Sequence, residues 1–449
     1  MLSKELNELM TRVGPGTPMG NLLRRYWMPA LLSSEVPNAD SDPVRVRLMG
    51  EDLVAFRDTN GAIGLIQNNC PHRGASLFFG RNEEAGIRCV YHGWKFDFSG
   101  QCVDMPNEPV ESDFKSKVRA TAYPTHESGG IVWTYMGPPE KQLPFRNFGT
   151  DDLPREQWRA SKTLSYCNFV QAMEGNLDTA HISYLHRNLD DSSLADDGTD
   201  RPGYSTQDVS TRVKAQNRSP RVEVEDTPYG FRYAGIRDTP NGHEQIRMTV
   251  FAMPVMTFVS AIPFGGSCGM FVPIDDHNCW RIQVRVHPTE GSSGRGYTLP
   301  MPGGRQTGRL SGKQERFVQP ENDYLMDRAL QRTTTYTGIP GIQEQDLAVT
   351  ESMGPIYDRS QERLGTTDRA IIRMRQMLIN AAQDLEHGID PPGLDPTFDY
   401  TRLRSTEKII AAGEDWRRLA TSDDPAYAEL LATGNMPLTG LVAAGALTS

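Results

Sequence analysis

The chain has 449 residues, of which 37 % are hydrophobic and 23 % charged, and a net charge of -10. That length suits two or three domains with their own cores, while the acidic balance argues against broad binding to nucleic acid or to an anionic membrane. No apolar run reaches the ~18 residues of a membrane span, and Lys4, Glu5 and Glu8 stand where a secretory leader would need its apolar centre.

Leu2, Leu6, Leu9, Met10 and Val13 make an apolar stripe at helical spacing, broken by Gly14-Pro15-Gly16. The aromatic-basic segment 24–29 leads toward a sheet. In 43–50, Val44, Val46 and Leu48 alternate on one face; LVAFRD continues as a second strand, and Asn60-Gly61 is a strong hairpin turn before AIGLIQ. These strands run straight into Cys70-Pro71-His72, followed after 16 residues by Cys89-Val90-Tyr91-His92. Two Cys–His pairs suit either a tetrahedral zinc or a [2Fe–2S] cluster with cysteines on one iron and histidines on the other. Gly74 and Gly93 favour the cluster, because such turns let backbone N–H groups approach sulfur. The other cysteines, Cys102, Cys167, Cys268 and Cys279, lack framework spacing and read as small buried side chains. This is the usage of a reducing cytoplasm.

After His92, WKFDFSGQCVDMP alternates again around a Ser99-Gly100 turn, and 129–137 reads as the strand that closes this unit. A Pro- and charge-rich linker, 141–157, leads to SYCNFVQAMEGNLDTAHISYLHRN, mostly helical in residue choice. From about 220, several strands follow at short spacing and suggest one large antiparallel sheet. Residues 288–316 are rich in Gly, Ser and Arg and read as a surface loop or lid. A late helix carries Ile371, Ile372, Met374, Met377, Leu378 and Ala381 on a broad stripe and ends at Gly388; a charged helical patch is expected around 405–419. The divisions are 1–42, 43–140, 141–157, 158–390 and 391–449.

The second concentration of metal-ligand side chains is Asp178, His181 and His186. Asp178 and His181 share a helix face, but His186 is five residues beyond His181. On an ideal helix it turns ~140° away, so both rings reach one metal only where the helix distorts or ends between them. Two imidazoles and a carboxylate with open positions are the ligands of non-haem Fe(II) oxygenases.

CPHRGASLFFGRNEEAGIRCVYHGWKFD resembles the Rieske iron–sulfur motif over its full length, and residues 20–385 resemble the α-subunits of Rieske non-haem iron oxygenases. EDLVAFRDTNG, RNEEAGIRCVYHGWK and SMGPIYDR are most similar to the phthalate dioxygenase branch. The resemblance implies an α+β chain: a Rieske β-domain, then a helix-grip domain in which an antiparallel sheet wraps a long helix. It implies that Cys70, His72, Cys89 and His92 hold the cluster and that His181 and His186 bind Fe(II). It makes Asp178 a bridging aspartate rather than a ligand. The third ligand is then a distant carboxylate; GIQEQDLAVTESMGPIYDRS makes it Asp346, with Glu344 and Glu351 the nearest alternatives.

The resemblance also implies a head-to-tail ring of subunits, as a trimer or stacked trimers. Electrons would come from a separate NAD(P)H-dependent flavin/iron–sulfur reductase, since no G-x-G-x-x-G follows a strand here. With O2 they would dihydroxylate an aromatic carboxylate or O-demethylate a methoxylated aromatic acid. A substrate carboxylate calls for an arginine: Arg247 stands first, then Arg212 and Arg221. Asn168 and Gln171, one helical turn apart, orient the iron helix or contact substrate. A Rieske electron carrier without oxygenase activity is the reading from another class, and a zinc-stabilised scaffold a third.

Overall fold

Two hairpin turns set the geometry of the first half. At Asn60-Gly61 the Asp58 carboxylate accepts from the backbone N–H groups of Asn60 and Ala62, each at 2.9 Å, and Gly61 takes the left-handed φ of +87°. At Ser99-Gly100, Asp97 does the same for Ser99 and Gln101, and a Cβ on Gly100 would stand 2.2 Å from the Ala120 carbonyl oxygen. The structure, a computed structural model, describes residues 2–109, 111–148, 158–191, 202–204, 207–260, 266–286 and 318–421. The expected loop at 288–316 lies outside the described residues, as do the linker's residues 149–157.

Strand β1 (Trp27–Leu32) precedes a sheet of β2 (Val44–Leu48), β3 (Glu51–Arg57) and β4 (Ile63–Gln67). A second sheet holds β5 (Arg81–Glu83), β6 (Gly86–Arg88), β7 (Lys95–Phe96) and β8 (Cys102–Asp104). The hairpin of β9 (Thr125–Ser128) and β10 (Ile131–Tyr135) then returns to pair with β1. Val54, Phe56, Ile66, Ile87, Trp94 and Phe96 pack a small core that takes in Cys70 and Cys89.

The second half is built on one antiparallel sheet of nine strands. They are β11 (Trp158–Ser165), β12 (Gly203–Tyr204), β13 (Arg221–Thr227), β14 (Gly230–Asp238), β15 (His243–Ala252), β16 (Met256–Ser260), β17 (Gly266–Pro273), β18 (Cys279–Val286) and β19 (Thr406–Ala411). The order is β11-β18-β17-β16-β15-β14-β13, with β19 on β15 and β12 outside β19. Helices α1 (Lys4–Thr11) and α2 (Pro18–Leu23) come first in the chain; α3 (Phe169–Leu177) lies over β16, β17 and β18, and α4 (Gln207–Gln216) lies against β14. α5 (Arg328–Thr333) and α6 (Ile342–Ser352) follow, α6 packing beside α3. The long α7 (Arg369–Glu386) buries Met374, Met377, Leu378 and Ala381 against α2 and β13. A buried ion pair, Lys162–Glu35 at 2.6 Å, ties the sheet to the N-terminal half. Among the described residues no helix is long and apolar enough to cross a membrane.

Four expectations need correction. The segment from Ser165 is helical only over Phe169–Leu177. Ile372 falls off the buried stripe of α7 and is 41 % exposed. Thr406–Ala411 is a strand rather than a charged helix, because pairing with β15 from His243 to Met248 overrides local composition. A division at 390 therefore cuts a strand from its sheet. One at 42 likewise separates α1 and α2 from α7, on which they pack.

Candidate metal centres

The two Cys–His loops repeat one backbone pattern. The Cys70 N–H donates to the Ala75 carbonyl at 2.8 Å and the Gly74 N–H returns to Cys70 at 2.9 Å. In the second loop Cys89 and Trp94 are joined at 2.8 Å, and Gly93 and Cys89 at 3.0 Å. Gly74 and Gly93 have φ +75° and +79°, which is what closing so tight a loop requires. Arg88 braces the second loop by donating to the Gly93 carbonyl at 2.8 Å and to Asp104 at 2.6 Å. Both cysteines are buried, whereas His72 and His92 are partly exposed, their ring centroids 4.4 Å apart. Trp94, held by Asn107 at 2.7 Å, stacks on His72 at 4.3 Å. His72 Nδ1 is buried with no hydrogen-bond partner among the described residues. Buried thiols on one side and an unpaired imidazole nitrogen at the tip fit the cluster's two kinds of ligand.

The second centre begins where α3 stops. Asp178 caps its C-terminus, its N–H donating to Glu174 at 3.0 Å, and His181 opens a single 3₁₀ turn, His181–Ser183. The helix thus ends before His181, as the five-residue spacing demands. The Nε2 atoms of His181 and His186 come within 3.0 Å. Asp346, from α6, places Oδ1 3.2 Å from His186 Nε2 and 3.8 Å from His181 Nε2. These atoms lie within 4.8 Å of one another, a group able to hold one metal ion. An ion held at about 2.1 Å from each fits edges of this length.

The outward ring nitrogen of His186 fixes its tautomer. His186 Nδ1 donates to Gln345 Oε1 at 2.7 Å, and Gln345 is itself anchored by donating to the Ile339 carbonyl at 2.9 Å. His181 Nδ1 lies 3.6 Å from Asp178 Oδ2, while Asp178 Oδ1 accepts the Ala180 N–H at 2.6 Å. His186 Nδ1 then keeps its proton and its Nε2 offers a lone pair inward, whereas His181 Nδ1 makes no hydrogen bond among the described residues and has the Asp178 carboxylate just beyond that range. Burial pushes the Asp346 carboxyl up, but the hydrogen bond to His186 and the charges of His186, His181 and Arg281 outweigh it and hold the group below the usual carboxylate range. Burial likewise raises Asp178, which contact with His181 brings net down. Gln345 was not legible as a site residue; a buried amide beside a ligand carboxylate is too common a pattern. Gln345→Leu is expected to weaken iron retention about 10–100-fold, read as metal content after dialysis against a chelator; full retention would remove its role.

Several expected residues stand elsewhere. Glu351 accepts from Ser165, Tyr166 and Tyr324 at 3.3, 3.0 and 2.8 Å, and Glu344 is not in the ligand group. Arg221 is a correction: it is exposed on β13, paired with Glu223 and Glu244. Asn168 and Gln171 are corrected as substrate contacts, because their polar atoms are spent on backbone. Asn168 donates to Thr11 and Asp276 and accepts from Val170; Gln171 donates to Thr350 and Gly354 and accepts from Tyr357. Arg212 is buried on α4, ~200° round the helix from Ser210. Phe251, Met253, Met256 and Phe258 lie in the hydrophobic core.

Arg247 is different. It is 8 % exposed, its charge reaches His186, and its only ion pair among the described residues is a 3.8 Å approach of Nε to Glu407. Its guanidinium makes no hydrogen bond among the described residues. Nearby, Thr179 Oγ1, Arg237 Nη1 and Gln245 Oε1 are also buried without partners. The iron loop sits directly on the sheet here: a Cβ on Gly235, which pairs with Arg247 across the strands, would stand 2.8 Å from the Thr179 side chain. Two open clefts of about 730 and 750 Å³ lie beside α1, away from these ligands.

An iron–sulfur β-domain joined to a domain that brings two histidines and a carboxylate to one centre defines an iron-dependent oxygenase. Residues 26–119 match the Rieske [2Fe-2S] domain family, and residues 134–433 match the family described as LigXa C-terminal domain like. The chain is 37 % identical to the phthalate 4,5-dioxygenase oxygenase subunit of Pseudomonas putida, over 93 % of this chain and 94 % of that one. It is 36 % identical to the 3-chlorobenzoate-3,4-dioxygenase oxygenase subunit of Comamonas testosteroni, over 91 % and 96 %. A 5,5'-dehydrodivanillate O-demethylase oxygenase subunit from a Sphingobium species is 32 % identical over 89 % and 85 %. The crystal structure of dicamba monooxygenase bound to dicamba has the same fold, with a TM-score of 0.55 at 18 % identity over 82 % of this chain and 100 % of that one. The chain belongs to the Rieske non-haem iron oxygenases, in the phthalate dioxygenase-like branch. It is an oxidoreductase whose cofactors are a [2Fe–2S] cluster and a catalytic non-haem iron.

Proposed function

We propose that the chain is an oxygenase component that dihydroxylates an aromatic carboxylate, phthalate- or benzoate-like, with O2 and electrons from a separate NAD(P)H-dependent reductase. The observation that carries the substrate class is Arg247: a buried guanidinium on the strand under the iron loop, opposite Gly235, with no hydrogen bond spent among the described residues. A carboxylate binds such a fork bidentately, with gains in both energy and orientation. The relatives named for phthalate and 3-chlorobenzoate support the same class.

In this reading Cys70, His72, Cys89 and His92 hold the cluster, and His181, His186 and Asp346 hold the iron. The iron, when bound, activates dioxygen beside the substrate with an electron from the cluster. Asp346 stays ionised, Gln345 keeps the Nδ1 proton of His186 in place, and Arg247 seats the substrate's carboxylate. We place the protein in a reducing cytoplasm, in keeping with six unpaired cysteines. We also read it as a head-to-tail trimer in which the His92 tip meets Asp178 of the next copy. Val90 and Tyr91 beside His92 are 59 % and 54 % exposed, an apolar rim suited to being covered.

Turnover under ¹⁸O2 tests the reaction. A cis-diol carrying both labelled atoms is expected. Formaldehyde release with a single labelled atom would instead establish O-demethylation of a methoxylated acid, the reading that the dehydrodivanillate relative favours.

A further inference from the structure

We infer that Glu407, on the C-terminal strand, is a positioning residue that aims the Arg247 guanidinium at the iron, so that this strand takes part in choosing the substrate. The inference rests on the reading of Arg247 as the carboxylate's partner.

Strand β19 lies antiparallel to β15 with Arg247 directly opposite Glu407, so both side chains leave the same face of the sheet. Glu407 is 1 % exposed. Its carboxylate is held from α4 and from β15: Ser210 Oγ donates to Oε1, Lys214 Nζ to Oε2 at 3.2 Å, and Gln245 Nε2 to Oε1 at 2.8 Å. So anchored, it cannot turn to grip Arg247 at both Nη atoms. It meets only the Nε edge, at 3.8 Å.

A carboxylate free to move would take the guanidinium bidentately and leave a ligand no undisturbed Nη pair to face. One pinned as this is draws the Nε edge toward itself and leaves the Nη pair unspent. Arg237 supports the arrangement from β14. It is fully buried, donates to the carbonyls of Asn217 and Thr179, and so joins the loop carrying Asp178 and His181 to the same face. Lys214, Arg237 and Arg247 thus gather around Glu407, with Asp178 the other carboxylate whose charge reaches Arg237. That excess of positive charge suits an anionic ligand but is too far from balance to hold a long, flexible arginine in one place without Glu407.

Two roles for Glu407 give opposite results. If it merely offsets charge, Glu407→Gln removes a repulsion and an anionic ligand binds as well or better. If it positions Arg247, the same change weakens the anion, leaves a neutral analogue alone, and has nothing left to disrupt once Arg247 is gone. The test is anaerobic titration calorimetry on the full, metal-loaded chain with phthalate and its neutral diamide, phthalamide, using E407Q, R247Q and the double variant. E407Q is expected to weaken phthalate about tenfold or more, or 1.4 kcal/mol per decade, with phthalamide unchanged and no further loss when E407Q is added to R247Q. Equal or tighter phthalate binding by E407Q, or an undiminished effect in the R247Q background, overturns the inference. R247Q that keeps its phthalate affinity instead overturns the reading of Arg247 itself. Should E407Q bind neither probe, E407D decides: a lowered phthalate-to-phthalamide ratio supports positioning, and a wild-type ratio overturns it.

Discussion

An Asp178→Asn protein is expected to carry its full complement of iron and its visible cluster spectrum, yet to turn over about a hundredfold more slowly. The reason is a mismatch of donors and acceptors. Asp178 accepts the Ala180 N–H at 2.6 Å and holds its other oxygen 3.6 Å from His181 Nδ1, beyond hydrogen-bond range but close enough for its charge to act there. An asparagine has one acceptor. Whichever way the amide is turned, its NH2 faces either the Ala180 N–H or His181 Nδ1. The convergence of His181, His186 and Asp346 does not depend on it, because other anchors hold them, Gln345 among them. The His181 ring would lose its negative neighbour on the side toward the outer surface, where the Asp178 side chain is 25 % exposed. Metal analysis and the rate at which a reduced protein delivers electrons to the iron distinguish the outcomes. Loss of iron would make Asp178 a support for the ligands rather than a bridge. Undiminished turnover would remove both roles.

What could be read from the sequence divides by distance along the chain. The cluster loops were legible because each Cys–His pair is local and its glycine announces the turn. The ending of α3 was legible because two histidines five apart cannot share a metal on an unbroken helix. Asp346 lies far along the chain from His181, and no periodicity points to it; only the family's pattern does. Glu407 was invisible for a related reason. Its place comes from pairing Thr406–Ala411 with His243–Met248, and the charges around that segment suggested a helix instead. Among the arginines, strand context decided what composition could not: Arg221 lies on an exposed strand with two glutamates at hand, whereas Arg247 lies on a strand buried along nearly its whole length. Arg237, fully buried under the iron loop, drew no notice because a single arginine in a strand is unremarkable until its neighbours are known.

Glu174→Gln is expected to cost about 3–5 kcal/mol of stability, the range for removing one partner of a buried ion pair. Glu174, one turn before Asp178, accepts from Arg359 at 3.0 and 3.1 Å and from Arg375 at 2.7 Å. Arg375 also grips Glu362, and Arg359 reaches Asn7 on α1 at 2.9 Å. Two cations and two carboxylates, buried together, thus lock α3 to α1 and α7. Glutamine leaves both arginines facing a neutral amide, with Glu362 able to offset only one. A control lies on α7 itself: Arg373 pairs with Asp226 at 2.7 Å, but solvent reaches that pair, and Arg373→Ala is expected to cost under about 1 kcal/mol. Denaturant midpoints should separate the two, and equal costs would deny the network its role. The pH dependence follows from the sign of the shift. Burial raises the Glu174 pKa, but Arg359 and Arg375 bring it net below 4.5, so its contribution is complete above 4.5 and is lost as pH falls through the lowered value. The gap between wild type and Glu174→Gln should therefore narrow only in that acid range. A gap that narrowed at neutral pH would place the loss elsewhere than on this carboxylate.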